Sequence, residues 1–92
     1  MTNRKIQRTI VFEVGGRYEC TTLTGDRIIF ECYKRSNRFV WLRDTSYDRN
    51  ARAGISVTSE GAEYCYPLGR YASRPILLAK NRLNDKNQII ED

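Results

Sequence analysis

The side chains best suited to bind an acidic partner are concentrated between positions 34 and 52. Six basic residues stand there against Asp44 and Asp48, a local balance of +4, with three aromatic rings among them. Arginine neutralises phosphates and aromatic rings stack on bases, so this mixture is typical of nucleic-acid binding. Arginine fits carboxylates equally well, which leaves an acidic protein surface as a second class of partner. The candidate partner-binding residues are Arg35, Arg38, Trp41, Arg43, Tyr47, Arg49 and Arg52.

The same stretch has a purely structural interpretation. Phe39 and Trp41 alternate with Val40 and Leu42, so the predicted strand is either covered on both faces or presents one aromatic face to a partner. In the first case the two rings belong to the hydrophobic core, and the arginines only form the solvent-exposed edge around it. The sequence leaves open whether Trp41 is buried.

A secondary candidate surface lies further along the chain, between Tyr64 and Pro75. Its tyrosines and arginines could form an adhesive patch, for which the candidates are Arg70, Tyr71 and Arg74. The same segment contains glycine and prolines, which are typical of turns, and we therefore favour a structural role there, as a connection between strands.

Catalytic and metal-binding chemistry finds little support. The chain has no histidine, which removes the commonest general base and metal ligand. Its cysteines, Cys20, Cys32 and Cys65, are odd in number and lack CxxC spacing, so we interpret them as reduced, buried thiols. We predict a protein that is not an enzyme and holds no metal or cofactor. A histidine-free ribonuclease toxin is the enzymatic alternative, but such toxins carry N-terminal helices and no helical period is evident here.

The size and net charge of the chain limit the classes of function that remain. With 92 residues the chain can build one modest core, so function belongs on its surface. A net charge of +5, from twelve Arg and four Lys against eleven acidic residues, favours an acidic partner. No apolar run approaches the roughly 18 residues of a membrane span, and the N-terminus lacks the apolar stretch of a secretory signal. We expect a soluble, cytoplasmic protein that does not bind membranes.

Short alternating runs from Thr9 to Ala79 predict an all-β fold of five to seven antiparallel strands. They would form a small SH3-like or OB-like barrel, or else a strongly twisted open sheet. Residues 1–80 are one domain with a short basic N-terminal arm, and residues 81–92 a polar tail. Residues 44–53 lack periodicity and are predicted to be a loop. The predicted strands are 9–14, 17–22, 27–34, 38–43, 54–58, 62–67 and 75–79.

The order of several short motifs resembles small uncharacterised accessory proteins of bacterial phages and mobile elements, over about residues 16–80. The motifs are Tyr18-Glu19-Cys20, Phe30 to Arg35, Gly61-Ala62-Glu63-Tyr64, Pro67, Gly69, Tyr71 and Pro75 to Ala79. The resemblance implies a nucleic-acid binder or an inhibitor of a host-defence nucleoprotein, of the anti-CRISPR kind. It carries over no active site.

Overall fold

The computed structural model describes residues 7–22, 24–46, 49–69, 75–86 and 88–89. Within these ranges the chain forms β-strands and connections, with one 3-10 turn at Ala79–Asn81 and no α-helix. No helix in this part of the chain has the length and apolar character needed to cross a membrane. The all-β prediction is confirmed.

The first sheet is antiparallel throughout, with its four strands in sequential order. The turns at Gly25 and at Ser36-Asn37 form the two hairpins expected from the sequence, and Gly25 has φ +90°, which glycine adopts without strain. The strands are β1 (Arg17–Thr21), β2 (Arg27–Arg35), β3 (Phe39–Asp44) and β4 (Arg49–Gly54).

The loop predicted for residues 44–53 is wrong, because β4 pairs with β3 along its whole length. Ala53 faces the core opposite Val40, and Ala51 lies on the same side opposite Leu42. Alanine is small and only weakly apolar, so two alanines on the core-facing side do not give a strong apolar alternation in the sequence. The period-two pattern was therefore too weak to predict this strand.

The second sheet is small and contains the third predicted hairpin and the last predicted strand. Its strands are β5 (Ser56–Val57), β6 (Glu63–Cys65) and β7 (Leu77–Leu78). The strand predicted for residues 9–14 is replaced by an extended segment with one isolated bridge, between Ile10 and Ala62. Phe12 is buried whereas Ile10 and Val14 are exposed, so the expected shared face is also wrong. The segment is held by bonds to Gly61 and Glu63 rather than by a ladder.

One core lies between the inner faces of the two sheets, and its largest side chains are Tyr18, Phe12, Phe30, Leu42 and Leu77. In the described ranges the strand ladders stay in two separate sheets and do not close into a barrel. Leu83 is also buried and donates its backbone N–H to the carbonyl of Arg17, 2.8 Å away. This part of the predicted polar tail is therefore packed against β1.

A β-bulge in β2 decides which side chains reach each face of the first sheet. Cys32 pairs with Leu42, but the register then shifts so that Lys34 pairs with Trp41 and Arg35 with Val40. Tyr33 is the extra residue. Strict alternation from Phe30 would have put Lys34 inward, whereas the bulge turns it outward and Arg35 inward.

Candidate nucleic-acid interface

The outward surface of β2, β3 and β4 brings together basic and aromatic side chains. It follows from the alternation of β3, because Val40, Leu42 and Asp44 are buried on the core side. The opposite side of the strand then carries its rings and Arg43. We call the surface formed by Lys34, Phe39, Trp41, Arg43 and Arg52 the ring face.

Two aromatic rings lie side by side at the centre of this surface. The centroids of Phe39 and Trp41 are 6.3 Å apart, and their planes are inclined at 53°. Phe39 is 37 % exposed and Trp41 is half-buried. The alternative in which both rings belong to the core is therefore excluded.

Each ring has a cation against it. The Lys34 ammonium lies 4.6 Å from the centroid of Trp41, and the Arg52 guanidinium carbon lies 4.7 Å from that of Phe39. Such contacts contribute about 0.5 to 1 kcal/mol each at exposed sites. They keep two positive charges beside the two flat apolar surfaces.

The neighbouring residues are mainly basic. Lys34, Trp41 and Arg52 form one row across β2, β3 and β4, because Lys34 and Arg52 are both register partners of Trp41. In the next row Arg43 lies between Glu31 and Asn50. Arg38 is exposed in the turn that precedes β3. Glu31 is the one carboxylate in these two rows of β2 to β4.

The first of the predicted partner-binding residues outside this surface is Arg35. Its guanidinium donates to both carboxylate oxygens of Glu63, at 2.7 and 3.0 Å, and to the carbonyl of Phe12 at 2.7 Å. The hydrogen bond to Glu63 is the main cause that raises the pKa of Arg35. Arg35 therefore holds the two sheets together from the core side.

Arg49 also contacts a carboxylate rather than lying on the ring face. Its guanidinium is 3.2 Å from Asp44, a side chain that is almost completely buried. Arg49 is the register partner of Asp44, so it lies on the same side of β4 as Ala51 and Ala53, which face the core. The remaining candidates, Tyr47 on the primary surface and Arg70, Tyr71 and Arg74 on the secondary one, lie outside the described residues.

Glu63 is a fully buried carboxylate with several hydrogen-bond donors around it, and it was not among the predicted site residues. Besides Arg35, it accepts hydrogen bonds from Arg8 at 3.1 Å and from the backbone N–H of Phe12 at 2.8 Å. Burial alone would raise the pKa of Glu63, but the bonds from Arg35 and Phe12 and the charges of Arg35 and Arg8 together lower it. The carboxylate fastens residues 8–12 to the rest of the fold.

Two residues of the ring face were absent from the predicted site. Phe39 could have been included, since period-two alternation puts it on the same side as Trp41 and Arg43. Lys34 could not, because only the bulge turns it outward and nothing in the sequence marks that position. Arg52 was predicted, but on a loop, and the register of β4 now explains its place beside the rings.

The three cysteines are free and buried, as predicted. Burial raises the pKa of Cys20 to about 11 and that of Cys65 to about 12, so both thiols are protonated at neutral pH. No group of three or more His, Cys, Asp or Glu side chains suited to a metal ion occurs among the described residues.

Comparison of this chain with protein-family models, with curated proteins and with solved structures finds no match.

Proposed function

We propose that this protein is a non-catalytic binding module that holds nucleic acid on the ring face. The observation that carries the proposal is the pair of outward rings, each with a cation less than 5 Å from its centroid. Bases stack on such rings, and Lys and Arg neutralise the phosphates that follow each base. The proposal uses Trp41, Arg43 and Arg52 from the predicted set and adds Lys34 and Phe39.

The cations already on the rings do not prevent stacking. A contact between an exposed cation and a ring is worth about 0.5 to 1 kcal/mol, whereas stacking of a base contributes about 1 to 3 kcal/mol. A base can therefore displace Lys34 from Trp41 with a net gain. The displaced ammonium remains on the same strand, where it can pair with a phosphate of the bound nucleotide.

The resemblance to accessory proteins of phages and mobile elements supports the same proposal, because nucleic-acid binding is among the functions that it implies. It also implies the alternative of an inhibitor that binds a host-defence nucleoprotein through an acidic protein surface. The aromatic pair favours nucleic acid, since a partner recognised by its carboxylates alone would need the cations but not two adjacent rings.

The dependence of affinity on salt tests the proposal. Affinity for fluorescently labelled oligonucleotides is measured by anisotropy at several salt concentrations. Each phosphate contact removed lowers the slope of log affinity against log salt by about 0.7 to 0.9, and we expect this for K34Q. The matched control is K80Q, because Lys80 is exposed beside the second sheet, away from the ring face.

Equal slopes for the parent, K34Q and K80Q would contradict the assignment of Lys34 to phosphate. Circular dichroism on each variant verifies that it is folded. A pull-down from lysate with and without nuclease distinguishes the two partner classes. Loss of every captured component after nuclease supports nucleic acid, and a protein that is retained through the ring face supports the inhibitor.

A further inference from the structure

We infer that the ring face is specific for single-stranded nucleic acid and takes two adjacent bases in an unstacked arrangement, one on Phe39 and one on Trp41. This inference rests on the proposed function and specifies its ligand. It distinguishes single strands from duplexes but treats RNA and DNA alike, because stacking and phosphate neutralisation occur with both.

The distance between the rings sets the spacing of the bases. Neighbouring bases in a stacked strand are about 3.4 Å apart. The two ring centroids are 6.3 Å apart, nearly twice that separation, because the rings occupy alternate positions of one strand. Two successive bases can each cover one ring only after they have moved apart.

The inclination of the rings leads to the same conclusion. Bases in a stacked helix are nearly parallel, whereas the planes of Phe39 and Trp41 differ by 53°. Two bases that lie flat on these rings must be tilted against each other by a similar angle. A duplex does not allow this without loss of both stacking and pairing, but an unpaired strand does.

The width of the sheet excludes entry into the groove of a duplex. Four strands at about 4.8 Å spacing give a sheet roughly 14 Å across between its outer strands, before side chains are counted. The major groove of B-DNA is about 12 Å wide and admits a two-stranded ribbon. The rings lie on β3, an inner strand of the sheet, and cannot reach base edges in a groove.

The cations complete a site for the backbone of such a strand. Lys34 and Arg52 lie on either side of Trp41 in one row, and Arg43 follows two residues further along β3. Positive charge therefore borders the rings on both sides. Stacking accepts every base, so the inference predicts weak sequence preference.

The fluorescence of Trp41 provides the test, because this is the sole tryptophan of the chain. The full-length protein is titrated with oligothymidylate of 12 nucleotides, with the same strand carrying abasic sites throughout, and with a 12-base-pair duplex. We expect quenching by the first and much weaker quenching by the other two. Trp41→Ala and Phe39→Ala should each weaken binding of labelled oligothymidylate by about 5- to 150-fold, with little change in the salt slope.

Tyr64→Ala is the matched control, because Tyr64 also belongs to a pair of rings, with Tyr66 at a centroid distance of 6.1 Å, but lies on β6 of the second sheet and not on the ring face. We expect it to bind like the parent. Duplex binding as tight as single-strand binding, an abasic strand that binds equally well, or equal losses for Y64A and F39A would overturn the inference but leave nucleic-acid binding intact. Failure of every oligonucleotide to bind would instead refute the proposed function. Circular dichroism identifies any variant that fails to fold, and the abasic comparison on the parent protein needs no variant.

Discussion

Replacement of Glu63 by glutamine should be one of the most destabilising conservative changes in this fold. The substitution keeps the size of the side chain and leaves one carbonyl oxygen to accept the N–H of Phe12. It removes the negative charge that faces Arg35 and Arg8, and it turns an NH2 group toward their donors. Two guanidinium groups then lose their carboxylate at the boundary of the core.

The size of the effect follows from the exposure of the three side chains. Loss of one partner from a buried ion pair costs about 3 to 5 kcal/mol. Glu63 is fully buried, but the Arg35 and Arg8 side chains are 22 % and 31 % exposed, so water can partly replace the lost carboxylate. We therefore expect about 3 kcal/mol, which lowers the melting temperature of a domain of this size by roughly 12 to 24 °C.

Chemical denaturation and thermal melting of E63Q measure this loss, and E13Q is the control. Glu13 also pairs with an arginine, Arg82 at 3.0 Å, but the Glu13 side chain is 60 % exposed. Pairs of that kind contribute less than about 1 kcal/mol. If E63Q is too unstable to purify, R35Q and the double variant E63Q/R35Q complete the comparison, and the double variant should recover part of the loss. Equal stability of E63Q and E13Q would refute the role given to Glu63.

Three further changes test other parts of the fold. The pKa of Glu63 is lowered in the folded state, so the Glu63 carboxylate stabilises the fold fully above its ordinary pKa of 4.5. This stabilisation is lost as the pH falls through the pKa that Glu63 has in the folded protein. Urea denaturation from about pH 7 to about pH 3 should show this loss in the parent and not in E63Q. Gly61 and Gly25 both have positive φ, but a Cβ would overlap the Gln7 carbonyl oxygen only at Gly61, so thermal melting should show a larger loss for G61A than for G25A. Cys65→Ser places a hydroxyl in a fully buried site and should cost about 1 to 3 kcal/mol in denaturation, while oligonucleotide affinity of the folded protein stays unchanged.

Most strands of this fold could be predicted because their residues alternate strongly. Ile28, Phe30 and Cys32 mark the inner face of β2, and Val40 and Leu42 that of β3. β4 was missed because its core-facing residues are alanines, which fill space without giving an apolar signal. The segment at residues 9–14 shows the reverse case, in which good alternation does not produce a strand. A side-chain carboxylate from β6, rather than a neighbouring strand, binds the backbone N–H of Phe12.

The candidate site was predictable as a stretch of sequence but not as a set of contacts. Basic and aromatic residue types pointed to positions 34 to 52, and the structure brings Lys34, Trp41 and Arg52 together on adjacent strands. The sequence did not show which of these basic residues lie on the ring face and which lie on the core side of the sheet. Arg35 and Arg49 have the same side chain as Arg43 and Arg52, yet they lie opposite Glu63 and Asp44. Residue type alone does not show which carboxylate a later part of the chain brings close.

The bulge at Tyr33 determines the positions of both Lys34 and Arg35. A single extra residue in β2 reverses the faces of the two residues after it, so the same irregularity puts Lys34 beside Trp41 and Arg35 beside Glu63. Without it, the ammonium would point toward the core, and the guanidinium that binds the carboxylate would point outward. The charge on the ring face and the ion pair in the core therefore depend on one local feature of the backbone. This dependence explains how a chain of 92 residues can pair a fully buried glutamate with arginine and still present a basic aromatic surface on the other side of the same sheet.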